Sequence, residues 1–267
     1  MKTTDVFRVL TICLCSLVLL MGTGQAVEVT HNGSTVFFDS FEGAATGGFP
    51  DPNLWSIPQM ATGAATITVL DPNSAGPGPF HGANYVRLAG DPNGGDEVAM
   101  QVDFGSFTTG MVRADFMMYV TGLNEGSGGS LLLGTSPGFE FRVLASWDQD
   151  GESPPDGTLN LLGSGWAEPG DVPIPRDVWH PWTFLFDLKT ADDGSDDTYE
   201  VIVDGASSGV LPAGRNHPDV GSLRITMRST FVDTYYVDAV PEPSSILISG
   251  CGLLALILYG FRGRDAR

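Results

Sequence analysis

The feature that most limits what this chain can fold into is a repeated alternation of apolar and polar residues over four to eight positions. Twelve segments carry it, among them "STVFFDSF", "ATITVL", "EVAMQVDF", "VRADFMMYV", "WTFLFDL", "TYEVIVDG", "LRITMRS" and "TYYVDAV". Successive side chains of a strand point to opposite faces, so each segment can bury one face and wet the other. Clusters of Gly, Pro, Asn and Asp stand between the segments, and helical periodicity is scarce. Twelve strands with no break in composition predict one all-β domain over residues 27–240, a two-sheet antiparallel jelly-roll sandwich. Asp-Pro-Asn recurs at Asp51, Asp71 and Asp91 in unrelated surroundings, which predicts repeated turn chemistry rather than an internal repeat.

The two ends read differently. Lys2 and Arg8 precede the apolar run Val9–Gly22, and Gly24 and Ala26 supply small residues for cleavage. This order predicts a secretory signal peptide over residues 1–26. At the other end an uncharged stretch over 244–261 has the length of a short membrane helix, and Arg262, Arg264 and Arg267 follow it. The positive-inside rule puts those arginines in the cytoplasm and the preceding domain outside.

Charge sharpens this division. The chain carries 32 carboxylates against 13 Lys and Arg, a formal charge of −19. Residues 27–240 hold 29 of the carboxylates and 8 of the cations, so the exported part is near −21. Such a surface excludes nucleic acid as a partner, because phosphate binding needs a basic face. All 3 cysteines lie in the two end segments, so the domain must hold together without disulfides.

Pro241-Glu242-Pro243, two serines, an apolar helix and an arginine cluster together resemble the PEP-CTERM sorting signal of bacterial surface proteins over residues 240–267. The resemblance implies recognition by an exosortase-type membrane enzyme after passage through the export machinery. It also implies a destination at the cell-envelope surface or in an exopolysaccharide matrix. Pro-Glu-Pro is extended and cannot join the helix, which suits a motif read at the membrane surface.

Within the domain, "FFDSFE" with Trp55, "FHGANYVRL", "WHPWTFLFDL" with "TYEVIVDG", and "TYYVDAV" resemble landmarks of concanavalin A-like (laminin G-like) jelly rolls. Galactose-binding-like jelly rolls share some of them and remain the alternative. The resemblance implies a structural calcium site at Glu42 and Asp238, with Asp39 as a third ligand, if the first and last strands pair. Oxygen ligands suit that hard cation. Ordinary strand-end carboxylates are the competing reading.

Enzyme signatures are absent in the forms that sequence can display. The four histidines show no zinc spacing, and no strand carries Glu-x-Asp-x-Glu. Gly-x-Ser-x-Gly occurs twice, but Pro137 after Ser136 has no N–H to donate, and Ser207 lies in a hairpin. The acidic run around Asp148 loosely resembles a calcium loop, but Gly151 stands at its fourth position and not its sixth, so the EF-hand pattern fails. The run Asp192–Asp197 reads as a solvated turn, with weak calcium binding as the alternative. Trp147 and Trp166, in loop-like surroundings, are candidates for stacking against sugar, with packing as the alternative. The expectation is a non-enzymatic exported protein, structural or carbohydrate-associated. A polysaccharide hydrolase or lyase, or a membrane-tethered adhesion module, is the alternative.

Overall fold

A computed structural model of the chain describes residues 27–59, 66–80, 82–89, 97–121, 128–135, 141–147, 160–162, 166–167, 172–174, 177–189, 196–213, 219–228 and 234–238. All belong to one compact unit, Ala26–Val240. The signal peptide, the Pro-Glu-Pro motif, the apolar stretch and the arginine tail lie outside the described residues. Among the described residues there is no helix.

The strands are β1 (Val27–His31), β2 (Ser34–Asp39), β3 (Trp55–Gln59), β4 (Thr66–Leu70), β5 (Tyr85–Ala89) and β6 (Glu97–Phe107). Then come β7 (Gly110–Val120), β8 (Gly128–Gly134), β9 (Phe141–Trp147), β10 (Asn160–Leu162), β11 (Trp166–Ala167) and β12 (Trp179–Leu188). The last are β13 (Thr198–Val203), β14 (Ala206–Ser207), β15 (Leu211–Pro212), β16 (Val220–Arg228) and β17 (Thr234–Asp238). They form two antiparallel sheets. One has ten strands, along the path β14-β13-β12-β7-β17-β5-β4 with β1, β2 and β15 attached. The other has seven, in the order β11-β10-β9-β8-β16-β6-β3.

The predicted alternation builds the core. From β7 come Val112, Ala114, Phe116, Met118 and Val120; from β12, Trp182, Phe184, Phe186 and Leu188; all are buried. From the facing sheet come Val98, Met100, Val102 and Phe104 of β6, with Leu223 and Ile225 of β16. Together they make one continuous apolar layer between the sheets. A one-residue slip in any of these strands would turn the whole set outward, so register is tightly specified.

Two of the three Asp-Pro-Asn segments form the expected turns. Asp51 Oδ1 accepts from Asn53 N at 2.9 Å, and Asp71 Oδ1 accepts from Asn73 N at 3.0 Å. Asp91 lies outside the described residues. The first and last strands do not pair with each other, which corrects that expectation. Instead β1 and β17 lie end to end along one edge of β7. Glu28 stands opposite Asp115, and Asp238 stands opposite Met117. Strand β7 is long enough to carry both, and β12 occupies its other edge.

Candidate functional site

The outer face of the seven-stranded sheet holds the densest polar network among the described residues. Strand β6 sends Val98, Met100, Val102 and Phe104 inward, so Gln101 and Asp103 project to the other side. Register sets Arg224 of β16 opposite Gln101 and Ser222 opposite Asp103. Arg224 Nε and Nη2 donate to Gln101 Oε1 at 3.1 and 2.7 Å. Gln101 Nε2 in turn donates to Asp103 Oδ1 at 3.0 Å. The Ser222 hydroxyl lies 2.6 Å from Asp103 Oδ1 and 2.7 Å from the carbonyl of Thr135, two acceptors for one hydrogen.

An outer sheet face is ordinarily wet, yet Gln101, Ser222 and Thr226 are buried. Thr226, two residues beyond Arg224 on the same face, has a buried hydroxyl with no hydrogen-bond partner. Buried hydroxyls are nearly always bonded, so this one stands out as an unsatisfied polar group on that face. The arrangement therefore offers a cation, an amide and hydroxyls for recognition, and Asp103 is the group in the network that can take a proton. Hydrolysis by paired carboxylates does not fit this strand. Glu97 and Asp103 stand six residues apart, roughly 20 Å along β6, beyond the ~5–9.5 Å such pairs need.

Asp39, the third residue of the expected calcium set, already accepts two hydrogen bonds. Its Oδ1 accepts from Phe41 N at 2.8 Å and its Oδ2 from Trp55 Nε1 at 2.6 Å. Burial raises its pKa, against the lowering effect of those hydrogen bonds. Glu42 holds a turn: Oε1 accepts from Ala83 N and Asn84 N at 2.7 and 3.0 Å. Gly82 makes this approach possible, since a Cβ there would sit 2.3 Å from Oε1. Asp238 follows Val237, which pairs with Val86, so its backbone comes beside this same turn. Among the described residues no three His, Cys, Asp or Glu side chains cluster as a metal site.

Trp147 and Trp166 belong to strands rather than loops. Trp147 ends β9 opposite Gly129, and Trp166 opens β11 opposite Leu162. Both lie toward the β11 edge of the seven-stranded sheet. Trp55 and Trp182 are core residues, and Trp179 is half-buried. Ser207 and Ser208 serve the hairpin: Gly209 N donates to Ser207 Oγ at 2.8 Å and Val201 N to Ser208 Oγ at 3.0 Å. In the second acidic run, Asp197 is buried and accepts from Lys189 N at 2.9 Å, so that residue is a loop clamp and not a solvated charge. Asp148 and Asp192 lie outside the described residues.

The Arg224 network was missed because its members belong to two strands 119 to 123 residues apart. Within each segment, Gln101, Asp103, Ser222 and Arg224 read as ordinary polar positions of an alternating strand.

No protein-family model and no curated protein matches the chain. Solved structures do. An endo-acting O-glycanase from the human gut microbiota, of a kind that initiates mucin breakdown, matches with a TM-score of 0.50 at 13% identity, over 77% of this chain and 98% of that one. The alginate lyase Aly36B matches with a TM-score of 0.49 at 10% identity, over 81% and 96%. A sialidase matches with a TM-score of 0.45 at 12% identity; 74% of this chain is covered, but only 20% of the sialidase. The expectation of a non-enzymatic protein is corrected to this extent: the fold is one that an endo-acting O-glycanase also has, so it gives no ground for excluding an enzyme. Active groups on a sandwich converge from several strands, so a missing single-strand motif was no ground for excluding catalysis. At these identities, the likeness establishes the fold of the chain as an antiparallel β-sandwich.

Proposed function

We propose that this chain is an exported protein that acts on an acidic polysaccharide at the outer face of the seven-stranded sheet. The observation that carries this reading is the Arg224–Gln101–Asp103–Ser222 network, with the orphan Thr226 hydroxyl beside it. A guanidinium backed by an amide suits the carboxylate of a uronic acid. Neutralising that carboxylate acidifies the adjacent C–H: Asp103 would take that proton, the C–H electron pair would form the C=C bond, and the glycosidic C–O bond would break, its oxygen leaving with a proton from water. The polysaccharide-cleaving names among the similar structures agree with a glycan as substrate.

The test is incubation of the purified protein with a polyuronate and with a neutral glucan. The polyuronate alone should yield new reducing ends together with ultraviolet-absorbing unsaturated ends. Arg224→Ala should lower that rate by two orders of magnitude or more. Polyuronate left intact by the wild-type protein would overturn the reading.

The address segments complete the proposal. The signal peptide exports the chain, and an exosortase-type enzyme reads Pro241-Glu242-Pro243, with the helix over 244–261 and its arginines holding the tail in the membrane until processing. Intact mass of the protein from cells and from medium tests this; a mass that retains both ends would overturn it. We read the sandwich as a concanavalin A-like jelly roll, supported by the sheet order and the landmarks at Trp182 and Asp204-Gly205. Calcium belongs to this reading through Glu42, Asp238 and Asp39. A melting temperature that rises with calcium and falls with chelator, and does neither in Glu42→Gln, is the expected result.

A further inference from the structure

The opposite, ten-stranded sheet carries a second feature that the proposed chemistry does not use. Register aligns Trp179 of β12 with Tyr119 of β7, Tyr119 with Tyr236 of β17, Tyr236 with Arg87 of β5, and Arg87 with Thr68 of β4. Five strands thus present one straight row, about 19 Å long at ~4.8 Å between strands. Tyr119, Arg87 and Thr68 face away from the core, because their chain neighbours Met118, Val120, Val86, Leu88, Ile67 and Val69 are buried between the sheets.

The aromatic end of the row is fixed in place. Tyr119 meets Trp179 edge-on with ring centroids 5.6 Å apart, and Tyr85 supports the indole from 6.2 Å. Trp179 Nε1 donates to the Gly78 carbonyl at 3.1 Å, which satisfies its one polar atom and sets its orientation. Phe80, 44% exposed, flanks the same ring at 6.5 Å. Trp179, Tyr119, Arg87 and Thr68 are half-buried, neither sealed in the core nor fully wet. At the polar end, Arg87 Nε is buried and has no hydrogen-bond partner. A donor held that way costs free energy until an acceptor reaches it.

We propose that this row is a second glycan-binding site, on the face opposite the Arg224 network. A linear sugar chain would lie along it, with pyranose faces against Trp179, Tyr119 and Phe80 and a ring oxygen or hydroxyl accepting from Arg87. Fixed, half-exposed rings with satisfied polar atoms suit the apolar faces of sugars. The net charge of −19 disfavours a nucleic acid, the other ligand that stacks on aromatics beside arginine. The inference goes beyond the catalytic reading and shares with it only the class of ligand.

The test is equilibrium binding of the whole protein to a linear polyuronate and to a linear β-glucan, followed by tryptophan fluorescence. Arg87→Gln and Phe80→Ala change exposed or half-buried groups, and thermal melts check that both fold. Each should weaken binding to at least one probe by roughly tenfold. Trp179→Phe, which keeps a ring, should remove most of the fluorescence response. Unchanged affinity in both Arg87→Gln and Phe80→Ala would overturn the proposal, as would a wild-type protein that binds neither probe. Binding that depends on Arg87 in a protein that cleaves nothing would sink the catalytic reading and leave this one standing.

Discussion

Asp39 ties together one corner of the sandwich by accepting from both the Phe41 amide and the Trp55 indole. Asp39→Asn keeps the shape but presents an amide N–H where Trp55 needs an acceptor, so a loss of about 1–3 kcal/mol is expected, read from urea unfolding. The pH dependence has a definite sign. Burial raises the folded-state pKa of Asp39, so the folded chain binds this proton more tightly than the unfolded chain. The contribution of Asp39 is therefore fully present below the unfolded value and is lost as pH rises through the raised one. The stability gap between wild type and Asp39→Asn should widen toward acid, and a gap that narrows would contradict the burial argument. Gly82 offers a second residue-scale check. Its φ is +70° and a Cβ would strike Glu42, so Gly82→Ala should cost about 1–2 kcal/mol from the backbone and more from the clash, visible as a lower melting temperature. Asp39 and Glu42 were both legible as notable carboxylates. Their partners were not, because the N–H groups that Glu42 holds lie 41 and 42 residues away.

The tight hairpins show which elements sequence patterns reveal. Asp204-Gly205 turns β13 into β14 with φ of 49° and 81°. Asn32-Gly33 does the same between β1 and β2, with φ of 49° and 76°. Positive φ at both residues is the type I′ geometry that two-residue hairpins favour. That dipeptide was a usable signal for β1, which the alternation alone did not identify. Nothing lies within 4 Å of a Cβ built on Gly33 or Gly205. Substituting valine at either should therefore cost only backbone strain, about 1–2 kcal/mol, and circular dichroism should still report a β-rich fold. The twelve strands that were read all overlap observed ones. Strands β3, β11, β14 and β15 were invisible for a physical reason. Three of them are two residues long and β3 contains Pro58, so none displays a period.

At the scale of the whole molecule, the meeting of β1 and β17 on β7 governs how the chain closes. Val27 and Asp238 take neighbouring steps on that edge and run in the same direction, so a single strand would cover the edge if they were joined. A circular permutant that links Asp238 to Val27 through a few glycines, with new ends in the exposed turn at Asn73, should fold cooperatively. Its melting temperature should lie within about 4 °C of the parent, the shift of roughly 1 kcal/mol in a domain of this size. Loss of a cooperative melt would mean that the two strands do not share the edge. The two-sheet class of the fold followed from periodicity, but this closure did not, because register between distant strands leaves no local trace.

The same closure decides how the molecule would respond to mechanical load. With both ends leaving from adjacent positions in the middle of β7, tension applied between them does not slide strands past one another against many hydrogen bonds at once. It lifts β1 and β17 away from β7 one pair at a time, starting at Val27 and Asp238. A sandwich pulled by its ends should therefore open by peeling at low force, while the β12–β13 half, paired from Trp182 to Asp187, stays closed.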